Sequence, residues 1–307
     1  MAGSETGPIR WWIYQRERFP LVAHGPLILA FSLSAVCFSS LLRGVERFPV
    51  WPVVMVAFFS SLISFLHLRL ADEFKDFEED SRFRPYRAVP RGLVRLRELA
   101  VVWVLTGLVQ LLLAVWLEVR LVPLLLATWI YLGLMSREFF CRKALKARPF
   151  TYMWTHMLIM PLIDLYATAC DWLTTSGRPP EGLIWFLLLS FFNGFILEIG
   201  RKIRAPRDEE TGVETYSVLW GRRRAIGAWL LAMVLTGGTA LVAANAIGFL
   251  VPVAVVLGGI LMVSVWVSWG FLRKPQNGKP FETLSGLWTL CLYLFLGILP
   301  LAWKIWT

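Results

Sequence analysis

Charge is what this 307-residue chain has least of: 17% of it is Asp, Glu, Lys or Arg, while 57% is hydrophobic. A soluble domain carries about a quarter charged residues, so this composition does not supply the surface of one. Acid is scarcer than base, 21 residues against 31, for a formal net charge of +10. The four cysteines, Cys37, Cys141, Cys170 and Cys291, form no CxxC pair, which leaves out zinc knuckles and dithiol redox motifs. No low-complexity segment or linker divides the chain, so a single domain over 1–307 is expected. The polar stretch Met1–Phe19 holds no apolar run of the kind a cleavable signal peptide needs. The first span is expected to act as the insertion signal.

What is present is gathered into bilayer-length apolar runs. They fall at Pro20–Leu42, Val50–Leu68, Leu96–Leu117, Val119–Ser136, Phe150–Leu173, Leu183–Gly200, Ala225–Ala244, Ile247–Leu272 and Leu284–Ile305. Each is near the ~20 residues that cross a ~30 Å hydrocarbon layer. Backbone groups in lipid must be satisfied within the segment, so the runs are expected to be helices. The expected fold is therefore an all-α integral membrane protein of about nine transmembrane helices, with two tight hairpins where the third and fourth and the seventh and eighth runs almost touch. Of the 31 Lys and Arg, 26 lie on one side of that topology and five, Arg43, Arg47, Arg120, Arg178 and Lys304, on the other. Lys and Arg bias loops to the cytoplasm, which puts the N-terminus and the most charged loops, 69–97 and 201–224, on the cytoplasmic side. The two loops hint at an internal repeat. Basic residues spaced between apolar runs do not make one soluble basic face, so no nucleic-acid partner is expected. The lipid bilayer itself is.

Asp72, Asp76 and Asp80 stand four residues apart in the first charged loop. If the second span continues through them, all three share one helix face. Like charges at that spacing destabilise a helix by a few tenths of a kcal/mol per pair. A divalent cation would offset this, and Mg2+ is usually held by carboxylates together with substrate phosphate. Arg82, Arg84, Arg87 and Arg91 follow at once, and guanidinium groups beside metal-binding carboxylates suit a diphosphate. A solvated acidic helix end is the alternative for the acidic run alone.

The pattern Asp72-Glu73-x-x-Asp76-x-x-x-Asp80 resembles the Asn-Asp-x-x-Asp-x-x-x-Asp motif of UbiA-type prenyltransferases, with oxygen ligands kept at both replaced positions. Arg87-Ala88-Val89-Pro90-Arg91-Gly92 is similar to the turn that follows it in that family, and Gly212-Val213-Glu214-Thr215 through Gly221 to the tail of the family's second motif. The acidic part of the second motif departs. Glu198 stands at the helix end, Asp208, Glu209 and Glu210 lie nearer the glycine, and Arg201, Lys202 and Arg204 come between.

The resemblance implies a nine-helix, Mg2+-dependent transferase that moves a prenyl group from a prenyl diphosphate to an aromatic or other lipid-soluble acceptor. It implies Asp72, Asp76, Asp80, Glu198 and Asp208 as metal ligands, with Asp72 and Asp76 foremost. Arg84, Arg87, Arg201, Lys202 and Arg204 become diphosphate contacts, with the second site leaning on direct cation contact. A membrane terpene cyclase of the same superfamily would share the ionisation step. A secondary transporter is a reading from another class, although transport sites usually sit near the midplane on broken helices. Asp164, inside the fifth span, is a functional candidate because an intramembrane carboxylate is costly. It could steer the acceptor or take its proton, or be hydrogen-bonded within the bundle. Asn193 is a candidate for substrate binding or for an interhelical contact, and His67 for either a supporting role beside Asp72 or an interface. Nothing in the sequence selects the acceptor, the prenyl chain length or the oligomeric state.

Overall fold

Two prolines break helices where this fold bends. Pro161 has no N–H for the carbonyl of Met157 and its ring crowds that carbonyl; the helix stops at Met157 and restarts at Ile159. Pro300 stands in the same relation to Leu296, and there the helix breaks at Gly297. Two of the runs read from the sequence as continuous spans are thus each two helices in file.

The computed structural model describes residues 7–210 and 212–307; residues 1–6 of the polar N-terminal stretch lie outside the described residues. The helices are α1 (Pro8–Arg18), α2 (Leu21–Leu42), α3 (Trp51–Lys75), α4 (Phe77–Phe83), α5 (Leu96–Leu117), α6 (Leu121–Ser136), α7 (Arg142–Lys146), α8 (Pro149–Met157), α9 (Ile159–Thr175), α10 (Leu183–Gly200), α11 (Tyr216–Leu219), α12 (Arg222–Ala246), α13 (Leu250–Arg273), α14 (Lys279–Leu296) and α15 (Ile298–Trp306). No strand occurs among the described residues. Eight helical segments, counting α8–α9 and α14–α15 as one each, are long and apolar enough to cross a bilayer. α6, apolar but 16 residues long, is the shorter remaining run.

The expected hairpins are there. Glu118 to Arg120 alone separate α5 from α6, and α12 turns into α13 through Gly248, whose φ of +72° is open to glycine without a Cβ penalty. α5 and α13 sit at the edge with most of their side chains outward, among them Val104, Leu105, Leu112, Val255, Met262 and Trp266. Apolar surface of that kind is solvated by lipid tails. The helices at the centre, α2, α9, α10 and α14, pack on one another through Phe38 stacked on Phe186 at 4.6 Å between centroids, and Phe31 on Tyr293 at 4.7 Å.

Polar side chains inside the bundle are tied across helices. Gln110 on α5 donates to the Ser60 carbonyl and the Ser64 hydroxyl of α3, both at 2.9 Å, and accepts from Trp129 on α6 at 2.9 Å. Arg43 forks onto Asp171, with Nη2 at 2.7 Å and Nε at 3.2 Å, and Ser40 adds a third donor at 3.0 Å. That pair joins the ends of α2 and α9 away from the charged loops. Lipid gives helices no hydrophobic drive to associate, so such ties and close backbone approach carry the packing. The closest approach is at Gly297, where an added Cβ would overlap the backbone of Ser34.

Gly297→Ala is therefore predicted to cost about 1–3 kcal/mol by overpacking, and Gly286→Ala, whose Cβ would meet open space, to cost nothing. Thermal unfolding midpoints in detergent should fall for the first and not for the second.

Candidate functional site

The first acidic loop is built by a helix that stops in time. α3 ends at Lys75, and Asp76 takes φ −97° and ψ 5°, outside helical geometry, before α4 begins at Phe77. Asp72, Asp76 and Asp80 remain one turn apart, linked by Asp76 N–H to the Asp72 carbonyl at 2.9 Å and Asp80 N–H to the Asp76 carbonyl at 2.8 Å. They do not share the face of one continuous helix, as their spacing predicts. Charge accounts for the break. An unbroken helix would carry six acids from Asp72 to Asp80; the break turns Glu78, Glu79 and Asp80 into first-turn residues of α4, where the positive end of the helix dipole favours them.

The three aspartates then part company. Asp72 faces a cavity, and its one ion pair among the described residues is with the Arg69 guanidinium at 3.5 Å. Asp76 lines the same cavity, half-buried, and its carboxylate has no ion-pair or hydrogen-bond partner among the described residues. Burial pushes the Asp76 carboxyl above the usual carboxylate range; Lys75 opposes this, while Asp72, Asp80 and Glu79 add to it. Asp80 is 3% exposed and lies off the cavity lining, between Arg87 at 2.6 Å and Arg84 at 3.2 Å. Expected as a metal ligand, it is paired in this structure with two arginines.

The second loop repeats that arrangement. Glu198, at the end of α10, is buried against Arg201, with Nε at 2.7 Å, and Lys202, with Nζ at 2.8 Å. Glu198 beside it holds the Arg201 guanidinium firmly protonated. Arg204 reaches Glu210 at 3.2 Å, and its N–H donates to the Ser217 hydroxyl at 2.9 Å. Thr215 caps α11, accepting from the Val218 N–H at 3.3 Å, and its hydroxyl donates to Glu209 at 2.8 Å. The two loops meet at Gly212. Its φ is +79°, and a Cβ there would strike the Phe83 ring of α4 at 2.5 Å.

Beneath the loops lies a cavity of about 990 Å³. Asp72, Asp76, Glu198, Arg84, Arg87, Arg201, Lys202 and Arg204 all line it, so the structure brings eight of the expected residues together. Its inner wall is apolar: Met135, Leu145, Met153, Met157, Ile159 and Met160. The remaining candidates are elsewhere. Asp208 lines an adjoining hollow of about 630 Å³ that shares Arg201 and Arg204. Asp164 is fully buried in the bundle, 2.6 Å from the Tyr293 hydroxyl. Asn193 is likewise buried and accepts from Thr289 at 3.0 Å, which is an interhelical tie. His67 stacks on Trp103 and meets Thr106 at 2.9 Å, an interface role.

The site also uses residues that sequence reasoning passed over. Arg18 of α1 reaches the cavity and pairs with buried Glu73. Lys75 lies 2.5 Å from the Tyr152 hydroxyl and 4.0 Å from buried Glu138. Glu138, Phe139 and Phe140 run at φ of 49°, 52° and 58°, strained backbone of the kind that clusters at functional sites. The polar, arginine-rich N-terminal stretch was a legible signal for α1; Tyr152 and Glu138 had none.

No group of three or more His, Cys, Asp or Glu placed to hold a metal alone occurs among the described residues. Two carboxylates are the complement with which Mg2+ is held jointly with substrate phosphates and water. Asp72 and the unpartnered Asp76 fit that role.

The sequence matches the UbiA prenyltransferase family over residues 31–292. No curated protein matches it. Three solved structures are similar in fold. One, described as giving structural and mechanistic insights into the biosynthesis of digeranylgeranylglyceryl phosphate synthase in membranes, has a TM-score of 0.63 at 13% identity, covering 97% of this chain and all of that one. The apo UbiA homologue of Aeropyrum pernix K1 has a TM-score of 0.63 at 14% identity, over 87% of this chain and 94% of that one. The UbiA homologue of Archaeoglobus fulgidus bound to DMAPP and Mg2+ has a TM-score of 0.51 at 16% identity, over 92% and 98%.

A folded-state Asp76 that titrates higher than in the unfolded chain contributes stability that is present below the unfolded value and is lost as pH rises through the folded one. Asp76→Asn is therefore predicted to melt above the unsubstituted protein at pH 7 in chelator. The advantage should vanish below about pH 4, where an aspartate is protonated in the unfolded chain too. A variant that melts lower at pH 7 would contradict the unpartnered charge.

Proposed function

The chain belongs to the UbiA prenyltransferase family, and from that membership we propose that it transfers a prenyl group, within the bilayer, from a prenyl diphosphate to an aromatic or other lipid-soluble acceptor. The observation that carries the proposal is the cavity: carboxylates and cations at its mouth, methionines and isoleucine at its wall. An amphipathic substrate with a charged head and an isoprenoid tail matches that division. The neighbour from Archaeoglobus fulgidus that holds DMAPP and Mg2+ supports the same assignment of the head.

Asp72 and Asp76 would hold Mg2+, which when bound neutralises charge on the leaving diphosphate. Arg84, Arg87, Arg201, Lys202 and Arg204 would take the diphosphate oxygens. Asp80 and Glu198 hold the first four of these cations before substrate arrives. Preset donors aimed at developing charge cost no reorganisation during reaction. As the C1–O bond breaks, its electron pair leaves with the diphosphate, and C1 becomes an allylic cation facing the apolar wall. Methionine and isoleucine offer it no nucleophilic oxygen, and exclusion of water protects it. The acceptor's π electrons then form the new bond to C1. The weighting of Lys and Arg toward the charged loops supports a cytoplasmic mouth.

The test uses purified protein in detergent, a panel of prenyl diphosphates of increasing length, and pooled aromatic acceptors. Pyrophosphate release that needs Mg2+ and acceptor, with a prenylated product by mass spectrometry, is expected. Asp76→Ala should lower it on the order of 100-fold or more. Release without acceptor, giving a cyclic hydrocarbon or alcohol, would favour a terpene cyclase. No release with any chain length would remove the transferase reading and turn attention to transport.

A further inference from the structure

Prenylation of an aromatic ring ends with a proton to be disposed of, and the residues at the cavity mouth are those assigned above to Mg2+ and diphosphate. Asp164, the carboxylate that the sequence offered for this task, lies outside the cavity and is bound to Tyr293. A different group lies on the apolar wall. His156 of α8 lines the cavity in company with Met153, Met157, Ile159 and Met160.

The tautomer of His156 follows from its contacts. Nδ1 lies 2.7 Å from the Tyr152 carbonyl oxygen. A carbonyl only accepts, so the ring proton sits on Nδ1 and Nε2 keeps its lone pair. Nε2 is buried and has no hydrogen-bond partner among the described residues. The ring is clamped: Tyr152 stacks on it at 3.9 Å and 21°, and Phe139 meets it edge-on at 6.2 Å. Tyr152 is itself held by Lys75 at 2.5 Å. His24 and His67 also leave one ring nitrogen without a partner, but neither lines the cavity. His156 alone of the three combines an unpartnered ring nitrogen with a place on the cavity lining. The thioethers around it are flexible, unbranched cover that can repack around a ligand.

We propose that His156 Nε2 is the base that takes the proton from the prenylated acceptor ring. The proposal rests on the prenyl-transfer reading above. The ring's π pair forms the bond to C1 and leaves a cyclohexadienyl cation. The ring C–H bond then breaks, its electron pair restores aromaticity, and the proton passes to the Nε2 lone pair. The resulting imidazolium keeps its Nδ1–H on the Tyr152 carbonyl and returns the proton to water when product leaves.

The experiment compares the unsubstituted protein with His156→Gln and His156→Phe, following pyrophosphate release and prenylated product together. The acceptor is supplied with hydrogen or deuterium at the position that is substituted. The expected result is product formation down about 100-fold or more in both variants, the usual contribution of a positioned base. Pyrophosphate release should outrun product, with prenyl alcohol making up the difference, and KM for the prenyl diphosphate should not change. A deuterium isotope effect on product formation should appear in the variants, where loss of the ring proton has become slow. Product matching pyrophosphate in either variant, with no isotope effect, would overturn the assignment. So would loss of pyrophosphate release and product in step in both variants, which is the signature of a packing role. If the unsubstituted protein releases no pyrophosphate at all, the transferase reading fails and takes this assignment with it.

Discussion

Carboxylates at a boundary between lipid and water must be neutralised, and this requirement organises the charged end of the bundle. A buried charge stripped of its partner costs about 3–5 kcal/mol. Glu73 meets Arg18, Asp80 meets Arg84 and Arg87, Glu138 meets Arg142 at 3.3 Å with Lys75 beyond, and Glu198 meets Arg201 and Lys202. Two carboxylates on the cavity are treated differently. Asp72 has a single long contact, and Asp76 has none among the described residues. Negative charge is therefore left open at Asp72 and Asp76, which is where the proposed Mg2+ and diphosphate would enter.

The fold delivers that rim by ending helices rather than by extending them. α3 stops at Lys75 and α10 at Gly200, so the side chains that follow are set by short loops and not by helical phase. The proline break between α8 and α9 has a related effect. It separates the segment bearing Tyr152, Met153 and His156 from the membrane core helix that follows, so α8 and the first residues of α9 can wall the cavity while the rest of α9 packs in the bundle centre. α1 completes the frame from outside, tied down by Arg10 to Glu98 at 2.6 Å and by Glu17 to Arg91 at 2.8 Å.

Much of this was legible in the sequence, for physical reasons. Bilayer-length apolar runs, the two hairpins and the two charged loops all come from constraints that act along the chain. Asp72, Asp76 and the basic cluster reach one cavity as their motif spacing implied. What the sequence did not show was the set of partners across the fold. Asp80 and Glu198 have the same residue chemistry as Asp76, and only tertiary placement shows that each is taken up by two cations. Asp164 is conspicuous on a hydropathy count, yet it faces Tyr293 and not the cavity. The breaks at Leu158 and Gly297 were readable from Pro161 and Pro300, because a proline disables the carbonyl four residues before it. The wall residues Tyr152 and His156 carry no local signature, since an aromatic stacked over an imidazole on one helix looks like ordinary interface packing.

The contact between Gly212 and Phe83 bears on how such a chain can change over evolutionary time. The glycine has a backbone conformation that other residues adopt only under strain, and its missing side chain is the space that the phenylalanine fills. A larger residue at 212 would be tolerated only after the ring at 83 had shrunk, and a smaller residue at 83 would leave a gap that glycine cannot close. The two positions, 129 residues apart in sequence, are thus bound to drift as a pair. Their joint variation among relatives would record that the two charged loops have been inherited as one unit.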